Sequence, residues 1–296
     1  MDKLIYGTAL SGSIRVIGVI DTDLVQHAKN IHNLSKTASA ALGRTLTAGT
    51  LMGAMIKDDR EVYTISIDGK GPLGKIIVTC KNGSKVKGYI ANPDVELPPK
   101  ANGKLDVGGG VGTGGEVVVI KDLGLKEPYV GRTPISTGEI GEDLAYYFTV
   151  SEGTPSAVGL GVLVNKDGSI KASGGFIIQM LPGADDLAAD LLTYRLEEIP
   201  TITSLIEQGN TAKEMLNFIF EGMDLKILGE LTPKYYCDCS REKVEKALIS
   251  IGKKDLTEIY EDGKEEEVVC HFCNKKYKFS NSDIGDLLLL FTPQPN

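Results

Sequence analysis

The first 182 residues alternate between strand-like and helix-like patterns of apolar positions. A helix is predicted from Thr22 or Asp23 to about His32, and a second one, rich in Ala, Leu and Met, over Thr37–Lys57. Four strand-like runs bounded by turn residues follow, namely Val62–Asp68, Lys75–Cys80, Lys85–Ile90 and Glu116–Lys121. Helices and strands therefore belong to the same N-terminal region.

Hairpin signals within this region predict how the strands pair. Residues 81–84 contain an Asn-Gly pair, which tolerates positive φ and favours a tight hairpin. A helix is predicted over Glu139–Phe148, and Ala157–Val164 and Ser169–Gln179 form a second hairpin around residues 166–168. The pattern predicts an α+β fold, with an N-terminal mixed α/β core domain over residues 1–182 whose sheet is mostly antiparallel.

Residues 183–232 differ from this core in both charge and periodicity. They carry 3 basic and 10 acidic side chains, which is nearly all of the net charge of −8. Five apolar residues at helical spacing form one apolar stripe: Leu187, Ala188, Leu191, Leu192 and Tyr194. Thr211 and Glu214 form a capping box at the start of a later helix. The segment is predicted to be an acidic helical linker.

Two interpretations of the acidic segment follow from this pattern. It is either a helical layer that simply packs on the main domain, or a metastable linker. A metastable linker would be apolar enough to fold when docked and charged enough to stay soluble when released. The sequence pattern alone leaves both interpretations open.

The last part of the chain, residues 233–296, is predicted to be a small separate domain. Ser240 can cap a helix, Val268–Cys270 and Lys275–Phe279 are typical of a hairpin, and Ser280–Asp283 resembles a capping box. A unit of this size buries little apolar area, so it needs an additional stabilising element such as a bound metal.

The cysteines provide such an element. Cys237 and Cys239 are followed after 30 residues by Cys270 and Cys273, whereas Cys80 stands alone. In a reducing cytosol, close cysteine pairs are more often metal-binding or redox-active than structural disulfides. Structural zinc takes four ligands in a tetrahedron and favours thiolates. We expect one Zn²⁺ held by the four clustered cysteines, and a buried, apolar role for Cys80.

The same four sulfurs permit a redox reaction. Thiolates attack peroxide or hypochlorite, and the resulting sulfenic acid can form a disulfide with its near neighbour. Such a reaction would link Cys237 to Cys239 and Cys270 to Cys273, and disulfide sulfur is a poor zinc ligand. Structural zinc contributes roughly 10–16 kcal/mol, against a total domain stability of about 5–15 kcal/mol. Oxidation is therefore expected to unfold the C-terminal domain, and this would release the acidic linker if the two pack together.

Other features of the sequence narrow the function further. The longest uncharged runs, such as Gly153–Asn165, reach 13 residues, whereas a membrane-spanning helix needs about 18 or more. The N-terminus lacks the pattern of a signal peptide, so a soluble, cytosolic protein without a membrane partner is expected.

Two glycine-rich stretches, Gly69–Lys75 and Gly110–Gly115, resemble the sequence motifs of phosphate-binding loops. A strand-like run follows each of them where such a loop needs a helix, so both are predicted to be turns. His27 and His32 are five residues apart and do not share the helix face that a metal pair needs.

The cysteine motif resembles the redox switch of a known family. Cys237–Ser240, with Cys270–Asn274 and Tyr277–Phe279 downstream, is similar to the switch of the thirty-three-kilodalton heat-shock protein family, the bacterial redox-regulated holding chaperones. Three further stretches agree with this family: Leu46–Lys57, Lys87–Pro93 and Gly174–Gly183. The resemblance covers essentially the whole chain.

The resemblance implies a chaperone and not an enzyme. It implies an N-terminal chaperone core, a helical linker and a C-terminal zinc domain, with the reduced, zinc-bound form inactive. Oxidant would form the two disulfides, expel zinc and unfold the linker. The exposed apolar surface would then hold unfolding client proteins without ATP, often as a homodimer, under oxidative stress.

Two other classes of function use similar cysteine patterns. A zinc-ribbon nucleic-acid binder needs a basic face, but residues 233–296 carry 12 acidic and 10 basic side chains, and only Lys275–Lys278 is locally basic. A thiol-disulfide oxidoreductase using Cys270 and Cys273 would place the first cysteine at a helix N-terminus, whereas strand-like residues flank it here. Both remain alternatives to the redox-regulated chaperone, and no nucleic-acid partner is expected.

Overall fold

The computed structural model describes residues 1–184 and 186–291, and the chain divides into two compact units, Met1–Tyr236 and Cys237–Asn296. The predicted acidic linker thus shares a compact unit with the predicted core. Residues 292–296 of the predicted C-terminal domain lie outside the described residues. The three-part division into core, linker and C-terminal domain stays a prediction about how the chain functions.

The first unit contains seven helices and eleven strands among its described residues. The helices are α1 (Thr22–His32), α2 (Lys36–Gly53), α3 (Val107–Val111), α4 (Ile140–Val150), α5 (Asp186–Glu198), α6 (Ile202–Glu207) and α7 (Ala212–Ile219). The strands are β1 (Lys3–Ala9), β2 (Ile14–Ile20), β3 (Val62–Asp68), β4 (Ile76–Lys81), β5 (Lys85–Ile90), β6 (Glu116–Asp122), β7 (Tyr129–Pro134), β8 (Ser156–Val164), β9 (Ile170–Met180), β10 (Lys226–Leu231) and β11 (Lys234–Tyr235).

The strands form two sheets that share one central helix. The five-stranded sheet has the order β10-β1-β2-β9-β8 and is antiparallel throughout. The six-stranded sheet has the order β11-β5-β4-β3-β6-β7 and is antiparallel except where β11 meets β5. Helix α2 packs against strands of both sheets and is buried along nearly its whole length. The predicted α+β class with antiparallel sheets is confirmed.

Several elements follow the sequence pattern closely, and others do not. Helix α1 and strands β3 and β5 have the predicted bounds, whereas α2 ends at Gly53, four residues before the predicted end. Strands β1, β2 and β7 and the glycine-containing helix α3 were not predicted. Strand β10 corrects the prediction of a wholly helical acidic segment, because its residues pair with β1 at the edge of the five-stranded sheet.

Helices α5 to α7 pack on the five-stranded sheet. Their apolar side chains form one cluster with those of the sheet, and the helical members are Leu192, Ile202, Leu205, Ala212, Met215, Leu216 and Ile219. The Leu216 side chain lies over Gly18 of β2, where a Cβ would come within 2.7 Å of it. A glycine at this position thus lets α7 approach the sheet backbone.

The predicted stripe on α5 is only partly buried. Ala188 and Leu192 are buried, whereas Leu187, Leu191 and Tyr194 keep 74%, 43% and 61% of their surface exposed. Only the Ala188 and Leu192 side of α5 faces the sheet, and the other side of the stripe remains in solvent. The five residues of the apolar stripe therefore do not share one buried face.

A buried carboxylate lies where β2 meets α1. The Asp21 side chain is fully buried and accepts hydrogen bonds from the Ser173 hydroxyl at 2.7 Å and the Thr47 hydroxyl at 3.2 Å, while its second oxygen has no partner. Burial raises the pKa of Asp21 to about 7, because these hydrogen bonds offset only part of the desolvation and the Asp2 carboxylate adds repulsion.

This carboxylate makes the stability of the first unit depend on pH. Because the folded-state pKa lies above the unfolded value, the contribution of Asp21 is most favourable below about pH 4 and is lost as the pH rises to about 7. We expect Asp21→Asn to raise the unfolding temperature at pH 8 and to reduce the gain in stability between pH 8 and pH 5.5. Thermal unfolding at both pH values measures this, with Asp122→Asn at an exposed site as the control. An unchanged pH dependence in Asp21→Asn would contradict the assignment.

The second unit is small and has a small core. Its elements are β12 (Glu266–Val269), β13 (Lys276–Phe279), α8 (Arg241–Ser250), α9 (Lys253–Asp262) and α10 (Asn281–Leu289). Six buried side chains form its core: Val244, Leu256, Tyr277, Phe279, Ile284 and Leu287. The cap at Ser240 and the capping box of Ser280 and Asp283 are both confirmed. Among the described residues of the whole chain, no helix has the length and apolar character that a membrane span requires.

Candidate metal centre

The four clustered cysteines are placed by two separate segments of the second unit. Cys237 and Cys239 lie just before α8, whereas Cys270 directly follows β12 and Cys273 lies in the turn before β13. The amide of Asn274 donates to the Cys270 carbonyl at 2.8 Å, and Asn274 adopts a positive φ of 55°. This tight turn directs two sulfurs toward the same point in space.

The sulfur atoms meet at one centre. All four Sγ atoms lie within 4.8 Å of one another, and the Sγ distances are 3.8 Å from Cys237 to Cys270 and 3.4 Å from Cys239 to Cys273. Zn–S bonds of about 2.3 Å in a tetrahedron place the sulfurs about 3.8 Å apart. The arrangement and the all-thiol donor set thus fit a tetrahedral metal ion. His271, in the turn between two of the cysteines, is not part of this group.

A tyrosine hydroxyl supports the sulfur cluster. Tyr277 of β13 donates a hydrogen bond to the Cys239 Sγ at 3.1 Å. Burial raises the pKa of the Cys239 thiol, but the hydrogen bonds from Tyr277 and the neighbouring cysteines outweigh this effect and lower the pKa to about 7. Burial raises the pKa values of Cys237 and Cys273. In the absence of metal, the thiol of Cys239 therefore ionises more readily than the thiols of Cys237 and Cys273.

The contact predicts that Tyr277 tunes metal binding. Tyr277→Phe removes the hydroxyl but keeps the buried ring, and loss of an outer hydrogen bond to a ligand typically weakens metal affinity by about 10–100-fold. We expect a zinc affinity lowered by about tenfold in competition with a chromophoric chelator. Tyr260→Phe, at a half-exposed tyrosine of the same unit, serves as the control. Equal affinities for wild type and Tyr277→Phe would show that the hydroxyl does not act on the ligand.

The fifth cysteine lies in the first unit, apart from this cluster. Cys80 is a fully buried residue of β4, in the hydrophobic core of the first unit. Burial raises the pKa of its thiol to about 12, so it is almost entirely protonated at neutral pH. The predicted apolar role of Cys80 is confirmed.

The two glycine-rich stretches contact each other. The amide of Gly71 donates to the Val111 carbonyl at 2.8 Å, and that of Gly114 donates to the Gly69 carbonyl at 2.9 Å. A Cβ on Gly69 would come within 2.2 Å of the Gly112 carbonyl oxygen, so close backbone packing explains the glycine there. Strands β4 and β6 follow these stretches, as predicted. The prediction of a turn over Gly110–Gly115 was wrong for Gly110 and Val111, which end helix α3.

Comparison with known proteins identifies the family. The family described as Hsp33 protein matches residues 2–280. The chain belongs to the Hsp33 family. The 33 kDa chaperonin of Clostridium tetani is 63% identical, over 97% of this chain and 98% of that protein. The 33 kDa chaperonin of Clostridium acetobutylicum is 61% identical, over 97% of each chain.

A solved Hsp33 structure agrees with the fold. The crystal structure of the 33 kDa chaperonin from Thermotoga maritima, a heat shock protein 33 homologue, has a TM-score of 0.88 and 38% sequence identity. It covers 97% of this chain, and this chain covers 98% of it. The resemblance inferred from the cysteine motif is therefore confirmed, and these relatives bear the name 33 kDa chaperonin.

Proposed function

We propose that this Hsp33 protein is a redox-regulated holding chaperone. In the reduced state, Cys237, Cys239, Cys270 and Cys273 bind one Zn²⁺ and the protein is inactive. Oxidation converts the four thiolates to disulfides, so that zinc is lost and the second unit and the acidic linker unfold. The surface that this uncovers holds unfolding client proteins without ATP and prevents their aggregation during oxidative stress.

The observation that carries this proposal is the convergence of four sulfurs in a unit with a small core. Among the described residues of the unit, six buried side chains form that core, which is little apolar area for independent stability. Bound zinc would hold all four sulfurs as thiolates and contribute roughly 10–16 kcal/mol to the folded state. A unit built in this way depends on its ligands remaining reduced.

The chemistry of oxidation follows from the thiolates. A peroxide attacked by one thiolate gives a sulfenic acid and releases water or hydroxide, and attack by a second cysteine forms the S–S bond and releases the second oxygen as water. We propose the pairs Cys237–Cys239 and Cys270–Cys273, because neighbours in sequence remain close once the unit opens. Peptide mass mapping under non-reducing conditions distinguishes these pairs from Cys237–Cys270 and Cys239–Cys273, whose sulfurs are near each other in the folded unit.

The acidic linker supplies surface for clients. The apolar cluster beneath helices α5 to α7 contains Ile5, Val16, Phe176 and Ile178 of the five-stranded sheet. Undocking the helices would expose both faces of this cluster, while the 10 acidic side chains of residues 183–232 keep the released segment soluble. Unfolding proteins, which expose apolar segments, are the partners that match this surface.

The proposal also includes a homodimer in the active state, a cytoplasmic location, no enzymatic activity and no nucleic-acid or membrane partner. Against nucleic-acid binding, the two lysines of β13 form ion pairs with acidic side chains. The Nζ of Lys276 lies 2.7 Å from the Oε1 of Glu267, and the Nζ of Lys278 lies 3.0 Å from the Oε1 of Glu265. Cys270 follows a strand and not a helix N-terminus, which differs from the arrangement that activates a thiol oxidoreductase.

The test is an aggregation assay on two states of the same protein. Light scattering of a heated client is followed with reduced, zinc-loaded protein and with protein treated with peroxide. We expect suppression of scattering only by the oxidised form, together with loss of four free thiols and one zinc per chain. Equal suppression by the reduced form would refute the redox-switch proposal.

A further inference from the structure

The final attachment of the chain to the first unit is strand β11, at the edge of the six-stranded sheet. The amide of Lys234 donates to the Ser84 carbonyl at 3.1 Å, and the amide of Tyr236 donates to the Val86 carbonyl at 2.8 Å. Tyr236 ends the first unit, and Cys237 begins the second. The chain therefore reaches the sulfur cluster directly from this two-residue strand.

The Tyr235 side chain connects β11 to strand β5 and helix α1. Its hydroxyl donates to the Gly88 carbonyl at 2.9 Å and lies 3.2 Å from the Nε2 of His32. The ring meets the His27 ring edge-on, with 5.3 Å between the centroids. The side chain of Tyr235 thus contacts both β5 and α1, whereas Tyr236 keeps 46% of its surface exposed.

Strand β11 lies in the chain between the acidic linker and the first cysteine of the cluster. Only Thr232 and Pro233 separate it from β10, which is the edge strand of the five-stranded sheet and belongs to the acidic linker. A strand of only two residues is weak by itself, because edge segments of this size open easily. The side-chain contacts of Tyr235 therefore add to the stability of β11, the segment that joins the acidic linker to Cys237.

We propose that Tyr235 is a positioning residue that limits how far unfolding of the second unit spreads into residues 183–232. While Tyr235 is docked, loss of structure that begins at the sulfur cluster stops at β11. When it undocks, the chain that follows β10 is no longer held on the six-stranded sheet through β11, and the acidic linker can open. This inference rests on the proposed function, in which opening of that linker creates the client-binding surface.

The experiment compares Tyr235→Ala and Tyr235→Phe with Tyr236→Ala in the full-length, zinc-loaded protein. Tyr236→Ala is the matched control, because the Tyr236 side chain is exposed and its ring centroid lies as far as 6.0 Å from the Nζ of Lys85. After treatment with peroxide, hydrogen exchange of residues 226–231 and the rate of zinc release are measured on the same samples. We expect exchange about tenfold faster in Tyr235→Ala, since losing a side-chain hydrogen bond and its packing shifts a local opening by at least this factor. Tyr235→Phe should lie between Tyr235→Ala and wild type, and zinc release should be unchanged in all three variants.

Two results would overturn the inference. Zinc release that accelerates in parallel with exchange would mean that Tyr235 acts at the metal centre, and equal exchange in Tyr235→Ala and Tyr236→Ala would mean that Tyr235 has no special role. If Tyr235→Ala does not fold, Tyr235→Phe decides the matter, because it lacks only the hydroxyl oxygen. If oxidised wild-type protein fails to protect clients, the proposed function fails, whereas the exchange data still test the role of Tyr235.

Discussion

Cys273→Ser is expected to unfold the second unit of the reduced protein while leaving the first unit intact. The substitution removes one of four sulfurs that lie within 4.8 Å of one another, so tetrahedral zinc binding loses a ligand. Structural zinc is worth roughly 10–16 kcal/mol, which is as large as the whole net stability of about 5–15 kcal/mol of a typical domain, and this unit has a small core. Amide exchange of α8, α9 and α10 should become fast, and the zinc content should fall well below one per chain.

The control for this prediction is Cys80→Ala. Cys80 is buried in the core of the first unit and takes no part in the sulfur cluster, so its replacement should leave the zinc content and the exchange of the second unit unchanged. A Cys273→Ser protein whose second unit keeps slow exchange without bound metal would show that the unit does not need zinc to fold.

Leu216→Asp is expected to make the reduced protein protect clients without oxidant. Leu216 is fully buried and covers Gly18 of β2, so truncation of its side chain alone would remove about 2–5 kcal/mol of packing free energy. A carboxylate at this position adds the cost of burying an unpaired charge. Helix α7 should then undock from the five-stranded sheet while the sulfur cluster still binds zinc.

The matched control is Asn217→Asp, which adds the same charge at the next, exposed position of α7. Client light scattering, zinc content and amide exchange of α7 are measured together in reducing buffer. If exchange shows α7 undocked in Leu216→Asp and protection of the client still requires peroxide, the linker surface is not what holds clients.

Much of the fold could be predicted from local patterns. Strands β3 and β5 are bounded by turn residues and alternate as half-buried strands do, and their observed bounds match the predicted ones. The capping boxes at Thr211 and Ser280 were predicted because they depend on residues three positions apart. Patterns of this kind are predictive because they depend only on residues that are close together in the sequence.

The elements that were missed depend on partners distant in sequence. Strand β10 pairs with β1, more than 200 residues earlier, and its exposed residues Ile227 and Leu228 give no alternating pattern. Helix α3 was missed for a different, local reason: it contains three glycines, which disfavour a helix, although the Asp106 carboxylate caps it by accepting from the Gly109 amide. The side of α5 that faces the sheet is likewise set by strands distant in sequence, so no spacing in the sequence indicated it.

The candidate site was predictable in its residues but not in its surroundings. The spacing of two cysteine pairs indicated the four ligands, because thiolates in this number and proximity are typical of structural zinc. The Tyr277 hydroxyl at Cys239 and the contacts of Tyr235 with His32 were not predicted. Both are side-chain contacts between segments that only the tertiary fold brings together.

The central claim is that a single metal ion keeps the second unit folded, and metal analysis combined with limited proteolysis tests it most directly. Protein purified under reducing conditions should contain one zinc per chain, and chelation should make residues 237–291 sensitive to protease while residues 1–182 stay resistant. Metal-free reduced protein whose second unit remains compact and protease-resistant would contradict the account.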